Sequence, residues 1–167
     1  FYDEVLGKYV GYLRFHVAGR RCAGRSESDD FRKLAPERLA VMADALDPPD
    51  VSFYNHGYTR YPGRNDLHLM FLSRYVQSAA TKDIQLAVSH DGFNWERPDR
   101  GNHLLDNYSE GAGYGSMLYV GPGLLQLPDE RYAATYWGTA RKFLHDAPNE
   151  RLPIRLALWK KDRLAGI

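Results

Sequence analysis

The sequence contains only one cysteine, Cys22, among 167 residues, which excludes an internal disulfide and an all-cysteine metal site. No apolar run approaches the ~20 residues that a helix needs to cross a bilayer. The 22 basic and 21 acidic residues nearly cancel, so we expect neither nucleic acid nor a membrane surface as a partner. Aromatic residues make up 13% of the chain, which is typical of a folded protein with a sizeable core.

Helical periodicity is also scarce. Only the segment 36–46 places apolar residues at helical spacing, namely Leu39, Met42, Ala43 and Leu46. The chain also contains an internal repeat, and the position of this segment within that repeat predicts an outer strand and a loop. We therefore prefer the strand, with a helix as the alternative.

Three segments of the chain follow one plan, in which two strand-like runs lead into a turn. Along two of these runs, apolar residues alternate with a period of two: Ile84, Leu86 and Val88 share one face of their run. In the third segment the same alternation recurs at Ile154, Leu156 and Leu158. The runs comprise residues 8–15, 21–26, 66–71, 83–89, 131–137 and 154–159.

The length of the repeat predicts the architecture. The turns align on Phe31, Phe93 and Leu164 with spacings of 62 and 71 residues, enough for about four short strands and their loops. Four antiparallel strands with a recurring signature are typical of a β-propeller blade, whereas a β-sandwich requires no such repeat. We predict an all-β, partial β-propeller of the five-bladed type. Its three blade units would be 1–46, 47–106 and 107–167.

Both ends of the chain read as cuts through structure. The segment beginning at Phe1 has neither an initiator Met nor the features of a signal peptide, and the chain stops just after a predicted turn. We expect the remaining blades to come from the same full-length protein or from another chain. A cytoplasmic and a secreted location both remain open.

The segment Ser89–Trp95 contains the pattern Ser-x-Asp-Gly-x-x-Trp. Its Asp91-Gly92 pair predicts a two-residue type I′ hairpin turn, because both residue types tolerate positive φ. The pattern resembles the Asp-box of sialidase propellers, although it lacks one residue between Asp and Gly. That resemblance implies a structural rather than a catalytic role for Asp91.

Three stretches, at 1–10, 89–98 and 119–124, resemble bacterial proteins related to glycoside hydrolase families 32 and 43. The resemblance covers most of the chain, and its motifs specify blades better than a reaction. It implies a five-bladed propeller with a carbohydrate site at one end of the central channel. In the enzymes, two or three carboxylates from different blades converge there, and one of them would lie on a blade before Phe1.

Hydrolysis of a glycosidic bond needs one carboxylic acid and one carboxylate. These groups are expected near the starts of the innermost strands, predicted at 51–55 and 116–120. Asp50 and Glu110 precede those strands and form the best acid–base pair, with Asp47 as a further candidate. Burial near Tyr114 would raise the pKa of Glu110 as a general acid requires. The alternatives are an ordinary turn aspartate and a solvated glutamate.

Aromatic and basic side chains near the same strands could bind a sugar, although packing between blades is the competing explanation. The predicted substrate-binding residues are Tyr54, His56, Arg60, Tyr114, Trp137 and His145.

The six histidines show no zinc-binding spacing, so the sequence predicts no metal and no cofactor. We expect a glycoside hydrolase-like protein that acts on an oligosaccharide or polysaccharide. Two alternatives remain: a propeller that binds carbohydrate without hydrolysing it, and a structural or protein-interaction propeller.

Overall fold

The computed structural model describes residues 1–107, 116–139, 153–161 and 163–164. This part of the chain is all-β and contains no helix, hence none that could cross a membrane. Its strands are β1 (Tyr2–Asp3), β2 (Lys8–Val17), β3 (Arg20–Ser28), β4 (Arg38–Val41), β5 (Val51–Arg60), β6 (His68–Val76), β7 (Thr81–Ser89), β8 (Met117–Val120), β9 (Leu125–Gln126), β10 (Arg131–Thr139) and β11 (Arg155–Lys160).

The first sheet is an antiparallel meander in the order β1-β2-β3-β4. Its register runs from Tyr9 opposite Ser28 to Val17 opposite Arg20, so two residues connect β2 to β3. The fourth strand occupies Arg38–Val41. The predicted outer strand in segment 36–46 is therefore present, and the helical alternative is wrong because pairing with β3 overrides the weak helical spacing.

The remaining strands form a second sheet in the order β11-β10-β8-β7-β6-β5, which consists of two antiparallel meanders. The meander β5-β6-β7 joins the meander β8-β10-β11 through one parallel pair, Lys82 with Met117. Strands β8 and β9 both pair with β10, on its side away from β11. Pro122 lies in the gap between them, where its missing N–H suits an interruption of the ladder.

Strand β8 crosses the meander β5-β6-β7 from one edge to the other. Backbone carbonyls of residues 116–120 accept hydrogen bonds from all three strands in turn. The donors are the backbone N–H of Lys82 on β7 (2.7 Å), the hydroxyl of Ser73 on β6 (3.3 Å) and the side-chain amide of Asn55 on β5 (3.3 Å). The two meanders therefore pack face against face as well as sharing an edge.

The middle meander is buried on both faces. Leu69 and Phe71 of β6 belong to a core cluster that includes Leu118 and Tyr132 of the third meander. The alternate residues Met70 and Leu72 belong to a second cluster with Ala23 and Val41 of the first meander. Burial on both sides explains the nearly continuous apolar run at 67–72. Three meanders thus stack in chain order around two cores.

The turn after β7 is not the predicted type I′ turn. Gly92 has a positive φ of 72°, but Asp91 does not belong to the residues with positive φ. The Asp91 carboxylate instead accepts the backbone N–H groups of Phe93 and Asn94, each at 2.8 Å. The indole N–H of Trp95 donates to the Gly92 carbonyl at 3.2 Å. A side-chain hydrogen-bonding pattern therefore holds this turn.

The same turn recurs after β3. Asp30 accepts the backbone N–H groups of Arg32 and Lys33, and Phe31 has a φ of 62°. Phe31 thus corresponds to Gly92, not to Phe93 as the sequence repeat predicted. The structural repeat between the first two turns is 61 residues long when Asp30 is matched to Asp91.

Candidate functional site

A cleft of about 360 Å³ opens where the three meanders meet. The first meander contributes Arg14 of β2, and the second contributes Tyr54 and His56 of β5. The third meander contributes Trp137 of β10, together with the backbone around Gly121. Since each of the three meanders supplies part of its wall, the cleft is a product of their stacking.

A bulge in β5 shapes the middle of the cleft. The pairing of β5 with β6 shifts between Phe53 and His56, so Tyr54 and Asn55 lie outside the regular ladder. Bulges bend a strand and re-aim its side chains, and they are common beside binding sites. This bulge brings three consecutive side chains, residues 54–56, to the cleft.

Aromatic rings form one wall of the cleft. Trp137 stacks on Tyr119, with ring centroids 5.3 Å apart and planes inclined by 4°. Tyr119 in turn meets Tyr54 edge to face at 6.3 Å. This packing fixes the orientation of the Trp137 ring, which lines the cleft.

Three cations converge on the ring of Tyr54. The guanidinium carbons of Arg14 and Arg21 lie 4.2 Å and 5.2 Å from its centroid. The ammonium of Lys82 lies 4.1 Å from the same centroid and 3.2 Å from that of Tyr119. Within the described ranges, no carboxylate forms an ion pair with any of the three cations. Arg14 lines the cleft, and Arg21 and Lys82 share the Tyr54 ring with it, so basic groups are concentrated around Tyr54.

Burial changes the protonation of two of these groups. Burial, reinforced by the charges of Arg14 and Arg21, lowers the pKa of Lys82 to about 7. Burial and the charge of Arg14 lower the pKa of His56 to about 4, so this imidazole is neutral at pH 7.

Two polar atoms at the bulge are buried without a hydrogen-bond partner among the described residues: Nε2 of His56 and Oδ1 of Asn55. Unsatisfied polar atoms are rare inside proteins and are more common at functional sites. They make the bulge a better candidate for ligand recognition than for core packing.

The structure brings together three of the predicted substrate-binding residues, namely Tyr54, His56 and Trp137. Arg60 lies elsewhere. Its guanidinium pairs with the carboxylate of Asp3 at 3.1 Å and lies 5.9 Å from the ring centroid of Phe1. Arg60 therefore connects β5 to β1 and does not line the cleft.

Two of the carboxylates predicted from the sequence, Asp47 and Asp50, occupy loop positions. Asp47 receives two hydrogen bonds from Arg97, whose side chain is 3% exposed. Burial works to raise the pKa of Asp47, but the hydrogen bonds from Arg97 and from the backbone N–H of Asp44, together with the charge of Arg97, outweigh it and the pKa is lowered. This pair ties the loop before β5 to the segment after β7.

Asp50 caps the turn between β6 and β7. Its carboxylate accepts hydrogen bonds from the hydroxyl and the backbone N–H of Ser78, and these bonds lower its pKa. In the part of the chain that the structure describes, neither Asp50 nor Asp47 belongs to the lining of the cleft. The other predicted residues, Glu110, Tyr114 and His145, lie outside the described residues.

Sequence reasoning missed Arg14, Arg21, Lys82 and Tyr119. One of them left a signal: Lys82 falls in the same alternation as Ile84 and therefore on the face expected to be buried. A lysine at such a position is unusual. Arg14, Arg21 and Tyr119 left no such signal, because their strand positions accept any polar or aromatic residue.

No protein-family model matches the sequence, and no curated protein matches it significantly. Solved structures do match. One is an N-acetylgalactosamine deacetylase from F. plautii in complex with blood group B trisaccharide, with a TM-score of 0.61 and 14% identity over 82% of this chain. Another is described as a complex of BT0996 and RGII, with a TM-score of 0.55 and 17% identity over 99% of this chain. A third is described as a glycoside hydrolase, with a TM-score of 0.57 and 16% identity over 98% of this chain.

This chain is therefore similar in fold to parts of these proteins. It covers 38%, 45% and 46% of their respective lengths, less than half of each. At these identities the likeness concerns the fold, and the chemistry has to be argued from the cleft.

Proposed function

We propose that this chain is part of a propeller-type, carbohydrate-active protein and that the cleft binds an oligosaccharide. The observation that carries the proposal is the wall of Trp137 stacked on Tyr119, set beside polar groups from two other meanders. Binding sites combine aromatic and apolar lining with a few placed polar groups. The half-buried indole of Trp137 suits the C–H face of a pyranose ring, while Arg14 and His56 can bond to its hydroxyls.

The stacking of the meanders supports the propeller assignment. Each blade in such a fold packs its face against the next blade, and the ligand site lies where the blades meet. The two core clusters and the cleft fit that arrangement. Four finer points stay predictions: the five-bladed type, a bacterial source, membership of glycoside hydrolase families 32 and 43, and the division into units 1–46, 47–106 and 107–167.

The binding proposal is tested by titration calorimetry of the full-length protein with a panel of neutral and acidic oligosaccharides. We expect Trp137→Ala to weaken binding by about tenfold or more, because it removes a large stacking surface. Phe31→Ala is the matched control, since Phe31 is an aromatic residue that is 70% exposed and lies outside the cleft. Binding that is equally affected by both substitutions, or by neither, would contradict the proposal.

Hydrolysis is the second candidate function. Its base or nucleophile would be Asp50, as predicted from the sequence, although the Asp50 carboxylate bonds to Ser78 and does not line the cleft. Its acid partner would be Glu110, as predicted from the sequence. Release of reducing ends by the full-length protein, lost in Asp50→Asn and Glu110→Gln, would support this function. Binding without hydrolysis, unchanged in Glu110→Gln, would leave a carbohydrate-binding protein.

A further inference from the structure

The positive charge at the cleft exceeds what a neutral sugar requires. Lys82 is only 1% exposed, yet its ammonium lies over the rings of Tyr54 and Tyr119 and within the influence of the charges of Arg14 and Arg21. Buried ammonium groups are normally paired with a carboxylate, because desolvation of an unpaired charge is costly. The aromatic faces offset part of that cost.

The mutual repulsion of the three cations is a further cost to the unliganded fold. Both arginines lie close enough to Lys82 to lower its pKa, so the like charges destabilise one another. An anion placed at the cleft would be attracted to both arginines and would favour the charged form of Lys82. Groups arranged in this way are more typical of binding sites than of structural cores.

Arg14 is the cation best placed for direct contact. It lines the cleft and is exposed, and its Nε donates to the backbone carbonyl of Tyr54 at 3.1 Å. That hydrogen bond fixes the plane of the guanidinium. Among the described residues, none accepts a hydrogen bond from its two Nη atoms. A fixed guanidinium edge is the geometry that binds a carboxylate or sulfate group through two parallel hydrogen bonds.

We propose that the cleft selects an anionic saccharide, with Arg14 binding its acidic group and Lys82 and Arg21 supplying the supporting positive field. The inference rests on the proposed carbohydrate-binding function and names its substrate class. The acidic group is the carboxylate of a uronic acid or a sulfate ester. The stacked ring of Trp137 would then orient the sugar plane beside it.

The experiment compares matched ligands on the full-length protein by titration calorimetry. The probes are a trimer of galacturonic acid, the neutral galactose trimer, and a sulfated galactose trimer. We expect an acidic trimer to bind at least about tenfold more tightly than the neutral one, since a hydrogen-bonded charge pair contributes more than a neutral contact. Raising the salt concentration should reduce this preference. Comparison of the galacturonic acid trimer with the sulfated trimer shows whether the cleft prefers a carboxylate or a sulfate.

Arg14→Gln should remove most of the preference, because it weakens binding of the acidic trimers far more than binding of the neutral trimer, which loses only a contact to a hydroxyl. The matched control is Arg131→Gln, an exposed arginine paired with Asp129 and remote from the cleft lining. The salt dependence of the unmodified protein gives a second readout that does not depend on any variant folding.

The possible outcomes separate the two proposals. Equal binding of neutral and acidic trimers, or a preference that survives Arg14→Gln, overturns the anionic selectivity while the carbohydrate-binding function stands. Failure of every saccharide to bind overturns both.

Discussion

At the scale of single residues, Lys82 shows how a fold can hold a charge without an ion pair. Its ammonium lies between the faces of Tyr54 and Tyr119, where the ring quadrupoles attract a cation. Burial still disfavours the charged form, and the pKa of Lys82 falls to about 7. The lysine is therefore partly neutral at physiological pH.

A pH dependence of stability follows from this shift. The folded-state pKa of about 7 lies below the ordinary lysine value of 10.5, so between these values the unfolded chain binds more protons. The free energy of unfolding should therefore rise with pH from 7 upward, by at most about 1.4 kcal/mol per unit from this group. Below pH 7 its contribution is flat. Urea unfolding at about pH 7.0, 7.75 and 8.5 measures the slope.

Lys82→Met is the test variant, because it keeps the volume and removes the titrating group. The slope between about pH 7 and 8.5 should fall relative to the unmodified protein, and Lys8→Met, at a half-exposed lysine paired with acids, should leave it unchanged. The pH range ends at about 8.5 because the buried thiol of Cys22 has a raised pKa, and its titration lowers the free energy of unfolding at higher pH. An identical slope in Lys82→Met would refute the assignment.

At the scale of elements, the close approach of β5 to the end of β8 holds the cleft together. A Cβ on Gly57 would lie 2.8 Å from the carbonyl oxygen of Gly121 and 3.2 Å from that of Val120. Both contacts are with backbone, which cannot rotate away as a side chain can. The second and third meanders therefore need glycine at this position.

Gly57→Ala should force β5 away from the 120–121 backbone and destabilise the fold by about 1–3 kcal/mol, the usual cost of overpacking. It should also weaken oligosaccharide binding, because the strand it displaces carries Tyr54 and His56. The denaturant midpoint measures the first effect and calorimetry the second. Gly101→Ala is the control, since its Cβ would meet nothing within 4 Å. Equal midpoints for the two variants would show that β5 tolerates the extra methyl group.

At the scale of the whole molecule, the three meanders differ in how completely they are covered. The middle meander is buried on both faces, whereas β11 and the residue before it expose apolar side chains, with Ile154 at 74%, Leu156 at 52% and Leu158 at 44%. Among the described strands, β11 pairs only with β10. In the proposed propeller a neighbouring blade would pack against this face.

An apolar face on an edge strand favours self-association. We expect this chain to associate at increasing concentration, and Leu156→Lys to reduce that association with little change in the unfolding midpoint. Leu125→Lys adds the same charge at a leucine of matched exposure, 54%, on β9. Sedimentation velocity over a range of concentrations gives the measurement. Equal effects of the two lysines would point to net charge rather than to the β11 face.

The strands were predictable because their signal is local. Alternation at 83–89 and 154–158 indicated β7 and β11, and the run at 51–55 indicated the start of β5. Turn chemistry was less readable. Asp91-Gly92 has the composition of a type I′ turn, yet the Asp91 carboxylate bonds to the following backbone and changes the turn. The competition between side-chain and backbone hydrogen bonds decided the outcome.

The sequence by itself determined the β class and the positions of most strands, because period-two alternation and turn residues act over a few neighbours. It also pointed to Tyr54, His56 and Trp137. Only the tertiary structure decided which faces are covered: the same alternation is buried at Ile84 and exposed at Leu156. Likewise it placed Arg14 and Lys82 around one ring, although 68 residues separate them. Contacts between meanders depend on how whole sheets stack, and no local pattern encodes that.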